Sequence, residues 1–80
     1  MGNFEYTITE EIAVLSEKNG FSKEINMISY NGAAPKIDIR NWSTGDDGEK
    51  KMGKGITLSK EEAMALRDAL EEIEFWQNIE

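Results

Sequence analysis

The 80-residue chain has no cysteine, no histidine and a single proline. Nor does it contain an apolar run approaching the roughly 18 residues that a membrane-spanning helix needs. The first two absences exclude disulfides, thiolate and imidazole metal sites, and Cys- or His-based catalysis. A carboxylate-only site for a hard cation is all that remains, and no spacing supports one, so neither a metal nor another cofactor is expected. The N-terminal stretch "MGNFEYTITEE" lacks both the basic region and the apolar run of a signal peptide. The chain therefore reads as cytoplasmic, with association with the nucleoid left open and no membrane partner. Its length implies one domain, 1–80, and so short a chain leaves much apolar surface exposed unless it dimerises.

Positive charge is also scarce. Nine Lys and Arg stand against sixteen Asp and Glu, for a net charge of −7. That balance argues against affinity for a phosphate backbone, but distribution matters more than the sum. The segments before Lys36 and after Lys60 are acidic, whereas Lys36 to Lys60 holds six basic residues and four acidic ones.

Turn signals divide the chain. "FEYTITEEIAVL" (4–15) alternates through Phe4, Tyr6 and Ile8 and then loses phase, which predicts a long strand with a bulge near Glu10 and Glu11. Asn19-Gly20 predicts a tight hairpin, because both residues tolerate positive φ. "FSKEINMISY" (21–30) reads as a second strand, "NGAAP" (31–35) as a turn and "KIDIRNW" (36–42) as a third strand. In that third strand Ile37 and Ile39 face one way, and Lys36, Asp38, Arg40 and Trp42 the other. "STGDDGEK" (43–50) is a polar turn leading into "KMGKGITL", a fourth strand. Ser59 and Glu62 stand at capping-box spacing before an amphipathic helix carrying Ala63, Leu66, Leu70 and Ile73 on one stripe and acids on much of the rest. The expected fold is α+β: a four-stranded antiparallel sheet followed by one C-terminal helix, β-β-β-β-α. Met64, Phe75, Trp76 and Ile79 add more apolar bulk than one sheet face requires, which predicts a homodimer.

Gly48, Gly53 and Lys54 have the spacing of a nucleotide-phosphate loop. The context fails: Gly55 stands where Ser or Thr should reach Mg²⁺, and strand-like periodicity follows where a helix should begin. "DDGE" lacks the alternating oxygen ligands of a calcium loop. No nucleophile is paired with a base, and the carboxylates lie on a solvated helix stripe, so no enzyme is expected. What remains is Lys36, Arg40 and Trp42 on one strand, Tyr30 ending the strand before, and Lys50, Lys51 and Lys54 on the next. Cations around π faces suit an unpaired nucleic acid strand. The same residues equally suit a solubilised sheet face with its aromatics packed beneath a loop.

"IDIRNW", the turn "DDGE" and "GKGITLS" before the helix occur in the order and near the spacings of the transcriptional positive cofactor 4 family, which the chain resembles over about Lys23 to Ile73. It is similar to the small bacterial YdbC-type members in particular. The resemblance implies a strongly curved sheet, a homodimer paired through helices and neighbouring strands, and binding of single-stranded DNA with little sequence preference. It matches Arg40 and Lys54 to family basic positions, Trp42 to the aromatic after the IDIR strand, and Tyr30, within one residue, to a stacking aromatic. The resulting expectation assigns phosphate contacts to Lys23, Lys36, Arg40, Lys51 and Lys54, and base stacking to Tyr30 and Trp42. It assigns the dimer interface to Leu66, Leu70, Ile73 and Trp76. The partner is single-stranded DNA, with RNA left open, in the setting of transcription or repair machinery. An alternative from a different class is a protein-interaction module whose acidic helix and tail, anchored by Phe75 and Trp76, dock a basic partner.

Overall fold

The computed structural model describes residues 5–73. Four strands, β1 (Tyr6–Lys18), β2 (Phe21–Tyr30), β3 (Lys36–Thr44) and β4 (Lys50–Leu58), precede one helix, α1 (Lys60–Glu72). The strands pair antiparallel in the order β1-β2-β3-β4, the expected meander. Asn19 and Gly20 take φ of 53° and 81°, the two positive values that a two-residue hairpin loop needs to match strand twist. Asn31 and Gly32 repeat the pair at the second turn, with φ of 52° and 79°. In the third turn the Asp47 carboxylate accepts the Glu49 backbone N–H at 2.9 Å, so this acid is spent on the turn itself.

One bulge was expected in β1, and its pairing with β2 shifts at three places: between Ile8 and Glu10, Glu11 and Ala13, and Val14 and Ser16. Each extra residue bends the strand and increases its twist. Ser59 caps α1 as predicted. Its hydroxyl accepts the Glu62 N–H at 3.1 Å and the Glu62 carboxylate accepts the Ser59 N–H at 2.9 Å.

Residues paired directly across antiparallel strands share a face, so the register sorts the side chains. One face carries the pairs Tyr6 with Tyr30, Ile8 with Ile28, Asn26 with Asp38, Glu24 with Arg40, and Ser22 with Trp42. Ile28, Trp42, Glu24, Asn26 and Asp38 on this face are all buried. Helix α1 does not cover it, because α1 lies against β3 and β4 from the other side, where Ala63 and Met64 meet Met27, Ile37 and Leu58 around a groove. The sheet therefore curls about its inward face. Ile28 and Trp42 are the buried apolar side chains of the described residues, and no helix residue is buried.

Candidate nucleic-acid interface

On the inward face the charges are closed into networks. The Asp38 carboxylate accepts from Arg40 Nε at 2.6 Å and Nη2 at 2.7 Å, from the Tyr30 hydroxyl at 2.6 Å and from the Thr57 hydroxyl at 3.1 Å. Burial alone would raise the Asp38 pKa, but the hydrogen bonds from Arg40 and Tyr30 and the guanidinium charge outweigh it, and the carboxyl titrates below its ordinary range. Tyr30 shifts the opposite way, raised by burial and by its bond to Asp38. Beside this network, Glu24 accepts from Lys50 Nζ at 2.7 Å and from the Ser22 hydroxyl at 2.6 Å. Its pKa is lowered too: desolvation pushes it up, and the bonds from Lys50, Ser22 and Asn26 pull it down further. Lys50 also sits 5.2 Å from the Trp42 ring centroid, a cation–π arrangement.

The glycines of "MGKGI" belong to this architecture. The β3–β4 register slips between Arg40, opposite Gly55, and Trp42, opposite Met52, so Asn41 faces the Gly53–Lys54 segment. A Cβ on Gly55 would overlap the Arg40 Cβ and come within 2.5 Å of the Ile39 carbonyl oxygen, and one on Gly53 would lie 2.8 Å from the Asn41 carbonyl oxygen. Both positions need the close backbone approach that only glycine allows. Arg40 uses it to donate from Nη1 to the Gly53 carbonyl at 2.9 Å, clamping the bulge.

The opposite face is organised differently. Lys18 pairs with Phe21, Phe21 with Ser43, and Ser43 with Lys51, giving one row across all four strands. The next row on that face holds Ser16, Lys23 and Asn41, with the Gly53–Lys54 bulge beyond. Lys18, Lys23, Lys51 and Lys54 are exposed, and none forms an ion pair with a described residue. Two adjoining depressions follow these rows. One of about 410 Å³ is lined by Phe21, Asn41, Trp42, Ser43 and Gly53, and one of about 370 Å³ by residues including Lys23, Ile39, Asn41, Lys54 and Ile56.

Residues 18–69 match the family described as Transcriptional Coactivator p15 (PC4). The chain belongs to the PC4 family. A protein of Treponema pallidum (strain Nichols), named as an uncharacterized protein, is 46% identical over 69 residues, covering 85% of this chain and 78% of that one. The PC4 match begins at the last residue of β1 and ends within α1, so it takes in β2, β3, β4 and most of the helix. Membership is consistent with single-stranded DNA binding, with transcription-related roles and with a non-enzymatic protein.

Within the PC4 fold, the residues expected to form one binding surface divide between two faces. Lys23, Lys51 and Lys54 gather on the outer rows. Lys36, at the start of β3, lines the groove beneath α1, about 17 Å of strand away from Asn41. Arg40 is only 13% exposed at its side chain and committed to Asp38, so its charge is neutralised where it stands. Tyr30 is half-buried, with its hydroxyl donated to Asp38.

Trp42 needs outright correction as a stacking residue. At 1% exposure, with Tyr6 packed at 5.8 Å and Lys50 over the ring, it offers no face to a base. The alternation of β3 correctly placed Asp38, Arg40 and Trp42 together, but the curl makes their face the interior. Sequence reading gave no role to Phe21, which is 64% exposed in the first outer row. The signal lay in its position two residues before Lys23 and directly after the Asn19-Gly20 turn.

Of the interface residues expected on α1, Leu66 and Leu70 are exposed and Ile73 is half-buried at the helix end. Trp76 and Phe75 lie outside the described residues.

Proposed function

We propose that this PC4-family protein binds single-stranded nucleic acid, with DNA as the first ligand to test, along the outer lysine rows, and does so as a homodimer serving transcription regulation or replication and repair. The observation that carries the reading is the charge pattern. Four of the nine cations in a chain of net charge −7 stand on two adjacent rows with serine, asparagine and glycine between them and no carboxylate in either row. Phosphates supply the counter-charge that those rows lack. The acidic remainder of the surface favours a strand flexible enough to follow a narrow path over a stiff duplex.

Exposed Met64, Leu66 and Leu70 on a helix with no buried residue support the dimer, since a second α1 would remove them from water. Titration with a short oligothymidine over a salt series tests the binding reading. We expect log affinity to fall linearly with log salt, with a slope of about −0.7 for each phosphate neutralised. Absence of binding at low salt, or equal affinity for duplex of the same length, overturns it. An oligouridine arm separates DNA from RNA. Sedimentation of Leu70→Asp tests the dimer, with loss of association expected.

A further inference from the structure

The outer rows hold one side chain that electrostatics does not explain. Phe21 is 64% exposed, more than Ile12, Val14, Leu15, Ile56, Met64, Leu66 or Leu70. A single exposed apolar residue is ordinary on a protein surface. Its surroundings are not. Lys18 pairs with it on one side, Ser43 on the other with Lys51 beyond, and Lys23 follows two residues along on the same face.

We propose that Phe21 is the platform on which a base of the bound strand stacks. The proposal rests on the single-strand reading above and supplies the aromatic that this reading needs. Trp42 is buried, and Tyr30 is anchored through its hydroxyl to Asp38. Phe21 has no polar atom to satisfy, so its ring can lie against any base, which suits binding without sequence preference. It lines the depression that adjoins the lysine-lined one through Asn41, so a strand with a base on Phe21 has cations along its path in both directions. Asn41 is exposed between them, with an amide that can meet a base edge.

The occupant is a nucleobase rather than a second copy of the chain because of charge. Two copies meeting here would press together eight lysines that form no ion pair with a described residue, whereas α1 lies toward the other end of this face, beside Met27, Ile37 and Leu58.

The test compares wild-type protein, Phe21→Ala and Phe21→Tyr for binding to a short oligothymidine across a salt series, with sedimentation of each. Because Phe21 is largely exposed, both variants are expected to fold, and Phe21→Tyr retains an aromatic face. Phe21→Ala should bind about 5- to 150-fold more weakly, with the salt slope unchanged, since stacking releases no counterions. Phe21→Tyr should restore most of the affinity. Wild-type binding with an unaltered Phe21→Ala affinity overturns the inference and leaves the single-strand reading standing. A changed association state in Phe21→Ala also overturns it, by assigning the ring to a protein interface. If wild type binds no single strand, the underlying reading fails, and the inference fails with it.

Discussion

On the inward face Arg40 and Lys50 each reach a buried carboxylate, at 2.6 and 2.7 Å, whereas on the outer face Lys18, Lys23, Lys51 and Lys54 stand among serines, asparagine and glycine. The two sets differ in what they hold. A cation paired with a buried acid fixes the packing of the strands, and removing its partner strands a charge in a poorly solvated place. A cation without a partner contributes little to folding and keeps its charge for a ligand. The aromatics divide in the same way, with Trp42 inside against Tyr6 and Phe21 outside beside the lysines.

That division can be broken most severely from within. Asp38→Ala removes the acceptor of Arg40, Tyr30 and Thr57 together, and should lower unfolding stability by about 3–5 kcal/mol in a denaturant titration. An unchanged midpoint would mean that the network does not hold the sheet. Gly55→Ala should come next, because the new methyl group displaces Arg40 from the bulge. We expect a lower denaturation midpoint, together with weaker oligonucleotide binding because Lys54 moves with the bulge.

Acid titration probes the same interior without a substitution. Asp38 and Glu24 both titrate below their ordinary values in the folded chain. Their contribution is therefore fully present above about pH 4 to 5, where the unfolded chain is also ionised. As pH falls through the ordinary carboxylate range, the unfolded state takes up protons first, and stability falls until the folded pKa values are passed. Thermal unfolding between pH 7 and pH 3 should show this loss, and the Asp38→Asn variant should show less of it.

The outer face predicts a different signature. Lys23→Ala combined with Lys54→Ala should leave stability within about 0.5 kcal/mol of wild type, while reducing the magnitude of the salt slope by about 0.7 for each lysine. A slope that stays put would take these lysines off the strand path. The smallest effect on binding is expected from Trp42→Phe. The buried indole N–H finds no acceptor among the described residues, so removing it offsets the smaller ring, and stability should change by about 1 kcal/mol or less. Oligonucleotide affinity should not change, in contrast to the loss expected from Phe21→Ala.

Much of the fold was legible in local chemistry. Asn-Gly pairs specify positive φ wherever the chain goes, S-x-x-E specifies a helix start, and alternation in "KIDIRNW" specifies which residues share a face. β1 was read less completely, because two of its three register shifts depend on pairing with β2, which β1's own alternation does not encode. The binding surface was read in part: alternation grouped Arg40 with Trp42, and the same alternation left open whether their side of the sheet was the solvent side.

Composition, turn residues and periodicity thus determined the meander, the capped helix and the concentration of positive charge in the middle of the chain, because each follows from interactions within a few residues. The direction of curl was decided only in three dimensions. It depends on contacts between strands, Lys50 of β4 reaching buried Glu24 of β2 and the Tyr30 and Thr57 hydroxyls of β2 and β4 reaching buried Asp38 of β3, and it sends Trp42 inside while leaving Phe21 among the lysines outside.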